Sequence, residues 1–286
     1  MRDFPIPVVA IGPGSQGLPE DEPPDCPALP QGMHTFEPPP LPEAADPAAR
    51  DEALALLRAL HDAMRTVPFG AVDYPVFALD ALSPAARRLV NEALGQGEVS
   101  ALAEGVPALH VQETVFAGLW RTQEVDAAGR VCADRIEACP VPAALAARAL
   151  AVAGRELVLP APPAGVMNAP ALLAELKDVA ADFAPGDPAH VINLTLLPLV
   201  PSDLEHLLRA LGAGCAVILS RGYGNCRISS TMLANTWWVQ YYNSSDALIL
   251  NTIEVATVPE VVLAAAEDFA DSGARLAEWI DALAAA

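Results

Sequence analysis

The side chains best suited to recognition or reaction are concentrated in one short stretch of the chain. It contains Ser220, Arg221, Gly222, Tyr223, Gly224, Asn225, Cys226 and Arg227. Two guanidinium groups, a phenol and a thiol stand together here in a protein whose net charge is −20. Arginine and tyrosine are residue types that often anchor protein interfaces. The stretch therefore predicts a binding site for a partner molecule.

Cys226 leaves three interpretations open. Arg221 and Arg227 could lower the pKa of its thiol and make it a nucleophile. The thiol could instead be a metal ligand or a transient metal carrier. It could also be a small buried hydrophobic residue, as free cysteine often is. No histidine lies near it in the sequence, so we assign no catalytic residue and no cofactor.

The cysteines and histidines show no spacing typical of a metal site. There are five of each, none of the cysteines forms a CxxC pair, and the histidines are scattered singly. The odd cysteine count also argues against a disulfide framework. Structural zinc sites need paired ligands at short spacing, so we predict no metal site.

The chain contains an internal duplication, which becomes visible when residue n is compared with residue n+117. Matching pairs recur in one register and include Gly97 with Gly214, Trp120 with Trp237 and Glu137 with Glu254. This predicts a first repeat at 53–152 and a second repeat at 169–286, joined by a Pro-rich linker at 153–168. We expect the two units to have the same fold and to pack with approximate two-fold symmetry.

The two copies differ clearly at residues 220–227, the stretch that predicts a binding site. The first copy has the unrelated residues 103–110 in place of 220–227, and only Gly105 and Gly222 match. A glycine common to both copies is explained by backbone geometry. The other residues of 220–227 are not explained in this way, so we expect the partner site in the second copy alone.

A second group of candidate residues lies downstream in a predicted hairpin. It contains Trp238, Tyr242, Asn243 and Asp246. Strand alternation places Trp237 and Trp238 on opposite faces. Trp120 matches Trp237, which predicts that Trp237 is in the core. Trp238 matches Arg121 and is therefore expected to face outward, onto the partner.

Apolar periodicity and turn residues predict an α+β fold with a mainly antiparallel sheet. Helices are expected at 55–63, 83–95, 171–180 and 200–212, after Pro142 and Pro259, and at the C-terminus after residue 273. Strands are expected at 73–79, 190–197 and 214–220, and hairpins at 114–138 and 231–256.

Composition sets further limits on function. Proline and acidic residues dominate 1–52, which predicts an extended N-terminal arm. The acidic balance of the whole chain leaves no basic face for nucleic acid or an anionic membrane. The N-terminal apolar run is short and broken by prolines, so we expect a cytoplasmic protein that does not insert into membranes.

Two long runs of the second copy resemble the C-terminal region of the HupH/HyaF hydrogenase expression proteins. They read SRGYGNCRISST and WWVQYYNSSDALILNTIEVATVPEVVLAAAEDFADS, and PIPVVAIGPGSQ and QGMHTFEPPPLP near the N-terminus are also similar to that family. Residues 220–227, 242–246 and 253–254 match the family motif. The first copy departs from that motif, which argues against two equivalent sites.

The resemblance implies a cytoplasmic accessory protein for the assembly of uptake NiFe hydrogenase. Its implied partner is the hydrogenase small subunit, which carries the iron–sulfur clusters, before assembly and export; other hydrogenase accessory proteins are further candidates. The family has no established catalytic residues, so the resemblance implies a chaperone and not an enzyme. The alternative from another class of protein is a cysteine-dependent enzyme or an iron–sulfur or metal carrier acting through Cys226.

Overall fold

The structure, a computed structural model, describes residues 46–71, 73–221 and 224–285. Most of the predicted N-terminal arm lies outside these ranges. The first helix, α1, begins at Pro47, before the predicted end of the arm at residue 52. Helices of the described part of the chain are α1 (Pro47–Thr66), α2 (Pro84–Leu94), α3 (Ala143–Val152), α4 (Ala169–Asp182), α5 (Pro201–Leu211) and α6 (Ala266–Ala285).

Local signals account for the helix boundaries. Proline lies in the first turn of α2 and α5, and both helices end at a glycine with positive φ, Gly95 and Gly212. Ser83 caps α2 by accepting a hydrogen bond from the backbone N–H of Ala86. These helices confirm the prediction from Ser or Asp near the start, Pro in the first turn and Gly at the stop.

In the described part of the chain ten antiparallel strands form one sheet, which confirms the α+β class. The strands are β1 (Val76–Ala78), β2 (Val99–Ala103), β3 (Ala108–Glu113), β4 (Leu119–Val125), β5 (Val131–Ala138), β6 (His190–Asn193), β7 (Ala213–Ser220), β8 (Asn225–Thr231), β9 (Thr236–Tyr242) and β10 (Leu248–Val255). Their order is β1-β5-β4-β3-β2-β7-β8-β9-β10-β6. The second half therefore repeats the strand order of the first half in reverse.

The two halves join through the antiparallel pair β2 and β7. In this pair Ala101 lies opposite Ile218, and these two residues occupy the same place in the two sequence copies. The sheet thus continues without a break from one copy into the other.

One face of the sheet carries a core shared by both halves. This central cluster contains Trp120 and Trp237, each about 1% exposed, together with α3. The indole N–H of Trp120 donates to the carbonyl of Cys139, and that of Trp237 donates to the carbonyl of Ala256. The predicted equivalent burial of the two tryptophans is confirmed.

The other face is covered by two separate groups of helices. Helices α1, α2 and α6 form the first helix cluster over β4 and β5, and α4 and α5 form the second helix cluster over β6, β9 and β10. Helix α6 packs against α1 in the first half, although the sequence assigned it to the second repeat. The sheet and this helix hold the two halves together.

Two predicted helices differ in the structure. The segment after Pro259 forms only a 3-10 turn, Glu260–Val262, so the prediction of a full helix there is wrong. The last helix begins at Ala266, because Phe269 packs in the same cluster as Leu276 and extends the apolar stripe. None of the helices in the described ranges has the length and apolar character needed to cross a membrane.

Candidate functional site

The first group of predicted site residues lies where β7 ends and β8 begins, on two central strands of the sheet. Ser220 ends β7 and pairs with Cys226 of β8 on one side and Val99 of β2 on the other. The backbone N–H of Arg221 donates to the carbonyl of Glu98 at 3.2 Å. Gly222 and Tyr223 lie outside the described residues. The hairpin is therefore anchored to both halves of the sheet.

Cys226 is buried in the central cluster, with about 1% of its surface exposed. Burial raises the pKa of its thiol to about 12, outweighing a hydrogen bond with Tyr241 that acts in the opposite direction. This direction does not favour the interpretation in which Arg221 and Arg227 lower the pKa and make the thiol a nucleophile. Ser220 is buried as well. Neither side chain is accessible to a partner, which favours the interpretation of Cys226 as a core residue.

Metal chemistry has no support in the described part of the chain. No group of three or more histidine, cysteine, aspartate or glutamate side chains there is arranged to hold a metal ion. A thiol with a raised pKa is also a poor metal ligand, because the thiolate is the form that binds.

Arg227 follows Cys226 and therefore points to the opposite face of the sheet. Its neighbours across the strands are Leu219 of β7 and Gln240 of β9. It is partly exposed. Asn225, two residues earlier, lies opposite Tyr242, and both are also partly exposed. These three predicted site residues therefore lie close together, where β8 begins and β9 ends.

The predicted residues of the β9–β10 turn have a local structural role. The Asn243 side-chain oxygen accepts hydrogen bonds from the backbone N–H groups of Ser245 and Ala247, at 2.9 and 3.0 Å. Asp246 has φ 57°, in the left-handed region that aspartate tolerates. The turn explains why these residue types are present.

The prediction that Trp238 faces outward onto a partner is wrong. Its side chain is packed in the second helix cluster and is 7% exposed. Its indole N–H donates to the side-chain oxygen of Asn251 at 2.6 Å. The prediction failed because the second helix cluster covers β9 at this residue.

Arg121, the counterpart of Trp238, forms an ion pair that sequence reasoning missed. Its Nε and Nη2 donate to the two carboxylate oxygens of Asp134 at 2.9 and 2.7 Å. Asp134 and Asn251 are also related by the n+117 register. The two copies therefore place an Arg–Asp pair and a Trp–Asn pair at the same position. The sequence did contain a signal for this ion pair, because residues 121 and 134 both differ in type from their counterparts 238 and 251.

Between the two helix clusters, no helix of the described ranges covers part of the sheet; we call this region, which borders the second helix cluster at Trp238, the open face. It consists of two cross-strand rows that run over β4, β3, β2, β7, β8 and β9. The first row is Arg121, Gln112, Ser100, Leu219, Arg227 and Gln240; the second is Gln123, His110, Leu102, Val217, Ser229 and Trp238. Only Trp238 of these belongs to a hydrophobic cluster.

A cavity of about 260 Å³ opens at the first-half end of the open face. It lies between the C-terminal end of α2 and strands β2–β4. Buried Leu94 and Ile136 contribute to its lining, together with the polar side chains of Gln112, Arg121 and Gln123. The open face thus combines a polar surface with one recess.

The model of the family described as HupH hydrogenase expression protein, C-terminal conserved region, matches the chain at residues 51–154 and 166–283. The chain belongs to this family. The two matched regions coincide closely with the two sequence copies and confirm the internal repeat. The family description and the names of its members refer to hydrogenase expression and formation, not to an enzyme activity.

Three curated relatives are similar over almost the whole chain. The hydrogenase expression/formation protein HoxQ of Cupriavidus necator is 46% identical over 99% of this chain and 100% of its own. The hydrogenase expression/formation protein HupH of Rhodobacter capsulatus is 47% identical over 99% of both chains. The hydrogenase-1 operon protein HyaF of Escherichia coli is 33% identical over 96% of both.

Proposed function

We propose that this protein is an accessory protein for the maturation of uptake NiFe hydrogenase. In this proposal it binds the iron–sulfur small subunit in the cytoplasm, before assembly and export. Family membership and the names of the relatives support the role in hydrogenase formation. The small subunit is our choice of client, and other hydrogenase accessory proteins are the alternative partners.

The open face is the observation that carries the proposal. A sheet normally buries its faces against other elements, yet no helix of the described residues covers the two rows of side chains between the helix clusters, apart from Trp238 at their border. Arg227 lies in this face and Arg221 beside it, in a chain whose net charge is −20. Charges placed in this way orient an incoming partner and select its sign. Asn225 and Tyr242 extend the same surface.

We propose one client site and not two. The two halves supply different residues to the open face even though their strand orders correspond, which is consistent with the approximate two-fold arrangement that we infer. His110 takes the place of Arg227, and Glu104 takes that of Arg221. A client that needs both guanidinium groups therefore has one orientation.

Charge reversal tests this proposal directly. We expect Arg227→Glu to weaken binding of the purified small subunit at least tenfold, because losing an interface anchor costs about 2 kcal/mol. Calorimetric titration measures the affinity. Lys177→Glu, an exposed change of the same charge on α4, is the control and should bind normally. Wild-type affinity of a folded Arg227→Glu variant would refute the proposed site.

Arg221 and Glu104 give a second matched pair. Arg221→Glu should weaken binding, whereas Glu104→Arg, at the equivalent place in the first half, should leave it unchanged. Arg121 is unsuitable as a control because its loss would leave the buried Asp134 carboxylate without its cation. Equal defects from Arg221→Glu and Glu104→Arg would contradict a single site.

The cysteine-dependent alternative has little physical support. Cys226 is buried, and burial raises the pKa of its thiol to about 12. Cys226→Ser should therefore leave hydrogenase maturation in cells close to normal, provided that the variant folds. Loss of maturation by a folded variant that still binds the client would restore the thiol or carrier mechanism.

A further inference from the structure

The cavity in the first half occupies the place that Trp238 fills in the second half. Arg121 is the counterpart of Trp238, and Ile136 and Gln123, which line the cavity, are the counterparts of Ile253 and Gln240. Ile253 packs in the same cluster as Trp238. In the second half, an indole ring therefore fills the space that corresponds to the cavity of the first half.

The cavity stays open because of the Arg121–Asp134 pair. The guanidinium is held on the Asp134 carboxylate by two hydrogen bonds, and the cavity of about 260 Å³ is left beside it. A water molecule takes about 30 Å³ in the liquid, so the space holds several waters or one large side chain.

The lining of the cavity favours an uncharged planar group. None of its lining residues in the described ranges is acidic, and the charge of Arg121 is balanced by Asp134. Leu94 and Ile136 offer buried apolar surface, while Gln123 offers hydrogen bonds. The amide N–H groups of Gln112 already donate to backbone carbonyls, so this side chain offers only its oxygen as an acceptor. Tryptophan and tyrosine combine an apolar ring with a polar atom at the edge, which matches this mixture.

The cavity is continuous with the proposed client surface. Ser100 lines the cavity, and the cross-strand row leads from it through Leu219 to Arg227. Adjacent strands are about 4.8 Å apart, and Ser100 and Arg227 are two such spacings apart, or roughly 10 Å. A single partner segment can reach both.

We propose that this cavity is an anchor pocket that receives one aromatic side chain, tryptophan or tyrosine, of the bound client. The inference rests on the proposed function and deepens it. The client places its aromatic anchor in the first half and its polar contacts on Arg221 and Arg227. Desolvated aromatic anchors in pockets carry much of the free energy of interfaces.

The internal repeat supplies a variant that fills the pocket. In Arg121→Trp with Asp134→Asn, the first half receives the Trp–Asn pair that already packs in the second half. Both partners of the ion pair are removed together, so no charge is left buried. Asn91→Trp, at a partly exposed position of α2 in the lining, blocks the pocket without changing the ion pair. It replaces the double variant if that variant does not fold.

Two measurements separate the pocket from the proposed function. The first uses N-acetyl-tryptophanamide, with N-acetyl-leucinamide as control, and follows the side-chain amide signals of Gln112 and Gln123 by NMR. We expect shifts in the wild-type protein with the tryptophan probe and none in the filled variant. Absence of shifts in the wild type, or equal shifts in the filled variant, would overturn the pocket.

The second measurement is binding of the small subunit. We expect the filled variant to bind about tenfold or more weakly. If it binds normally while Arg227→Glu does not, the anchor pocket is wrong and the proposed function stands. If neither change affects binding, the open face is not the client site: the anchor pocket and the assignment of the site are then both wrong, although the protein still binds the small subunit.

Discussion

Glu113 is a carboxyl group whose burial should be visible in the stability of the protein. It is 8% exposed, and this burial raises its pKa from 4.5 to about 7, with a smaller contribution from Glu98. The folded state therefore holds the proton more tightly than the unfolded state. The stability that this group contributes is present below pH 4.5 and is lost as the pH rises through 7.

Glu113→Gln should remove this pH dependence, because the amide cannot ionise. We expect the variant to gain on the order of 2 kcal/mol of unfolding free energy over the wild type at pH 8, and much less at pH 4.5. Urea unfolding at both pH values measures the difference. A constant offset between the two proteins at all pH values would show that the carboxyl does not titrate in this window.

The burial of a residue could be predicted where the same residue type stands in both copies. It could not be predicted where a contact with a residue distant in the sequence determines it. Trp120 and Trp237 match across the repeat, and both are buried. The prediction of an exposed Trp238 is wrong because it assumes that Arg121, its counterpart, faces solvent. That guanidinium in fact contacts Asp134, 13 residues away on the next strand, and periodicity does not show such a contact.

Asp203 connects the start of two helices. One carboxylate oxygen accepts hydrogen bonds from the backbone N–H groups of Met167, Asn168 and Ala169 at 2.8–3.0 Å, and the other accepts from Val200 at 3.1 Å. It thus fixes the end of the Pro-rich linker and lies at the N-termini of α4 and α5, where negative charge is favourable. Although burial alone would raise its pKa, these donors hold it below the usual value.

Asp203→Ala should lower the unfolding free energy by about 3 kcal/mol, because four backbone donors lose a charged acceptor. Chemical denaturation measures this loss. Asp178→Ala, an exposed change on α4, should have an effect within roughly 0.5 kcal/mol. Since the pKa of Asp203 is lowered by folding, its contribution is present above pH 4 and is lost as the pH falls below it. A loss no larger than that of the control would contradict this role.

The helices were predictable to the extent that their ends carry local signals. Ser83, Gly95 and Gly212 mark boundaries that the structure has at the same places. Pro259 is also a starting signal, yet only one 3-10 turn follows it. There the packing of Val262 in the central cluster, and not propensity, determines the backbone.

The continuous sheet and the return of α6 to the first half predict cooperative unfolding of the described fold. Strand β2 pairs with β3 on one side and with β7 of the other half on its other side, and α6 packs on α1. We expect calorimetry, circular dichroism and tryptophan fluorescence to report one transition at the same midpoint. Leu276→Ala, at a fully buried position of α6, should lower that midpoint without splitting it.

Two separate transitions, with only one of them shifted by Leu276→Ala, would show that the halves are independent. The sequence indicated two packed repeats with a linker between them. It could not show that β2 pairs with β7, because both strands are short apolar runs and nothing in their residues specifies the partner across 117 positions.

The pairing of β2 with β7 also bears on how such a chain could arise. Ala101 and Ile218 occupy the same place in the two copies and lie opposite each other. A protein with only one unit would leave the β2 edge unpaired, and an unpaired edge is a template for a second chain. Two identical units meeting at that edge would form an isologous homodimer with a ten-stranded sheet. Gene fusion of such a dimer would free one half to specialise, with Arg227 in one copy and an open pocket in the other.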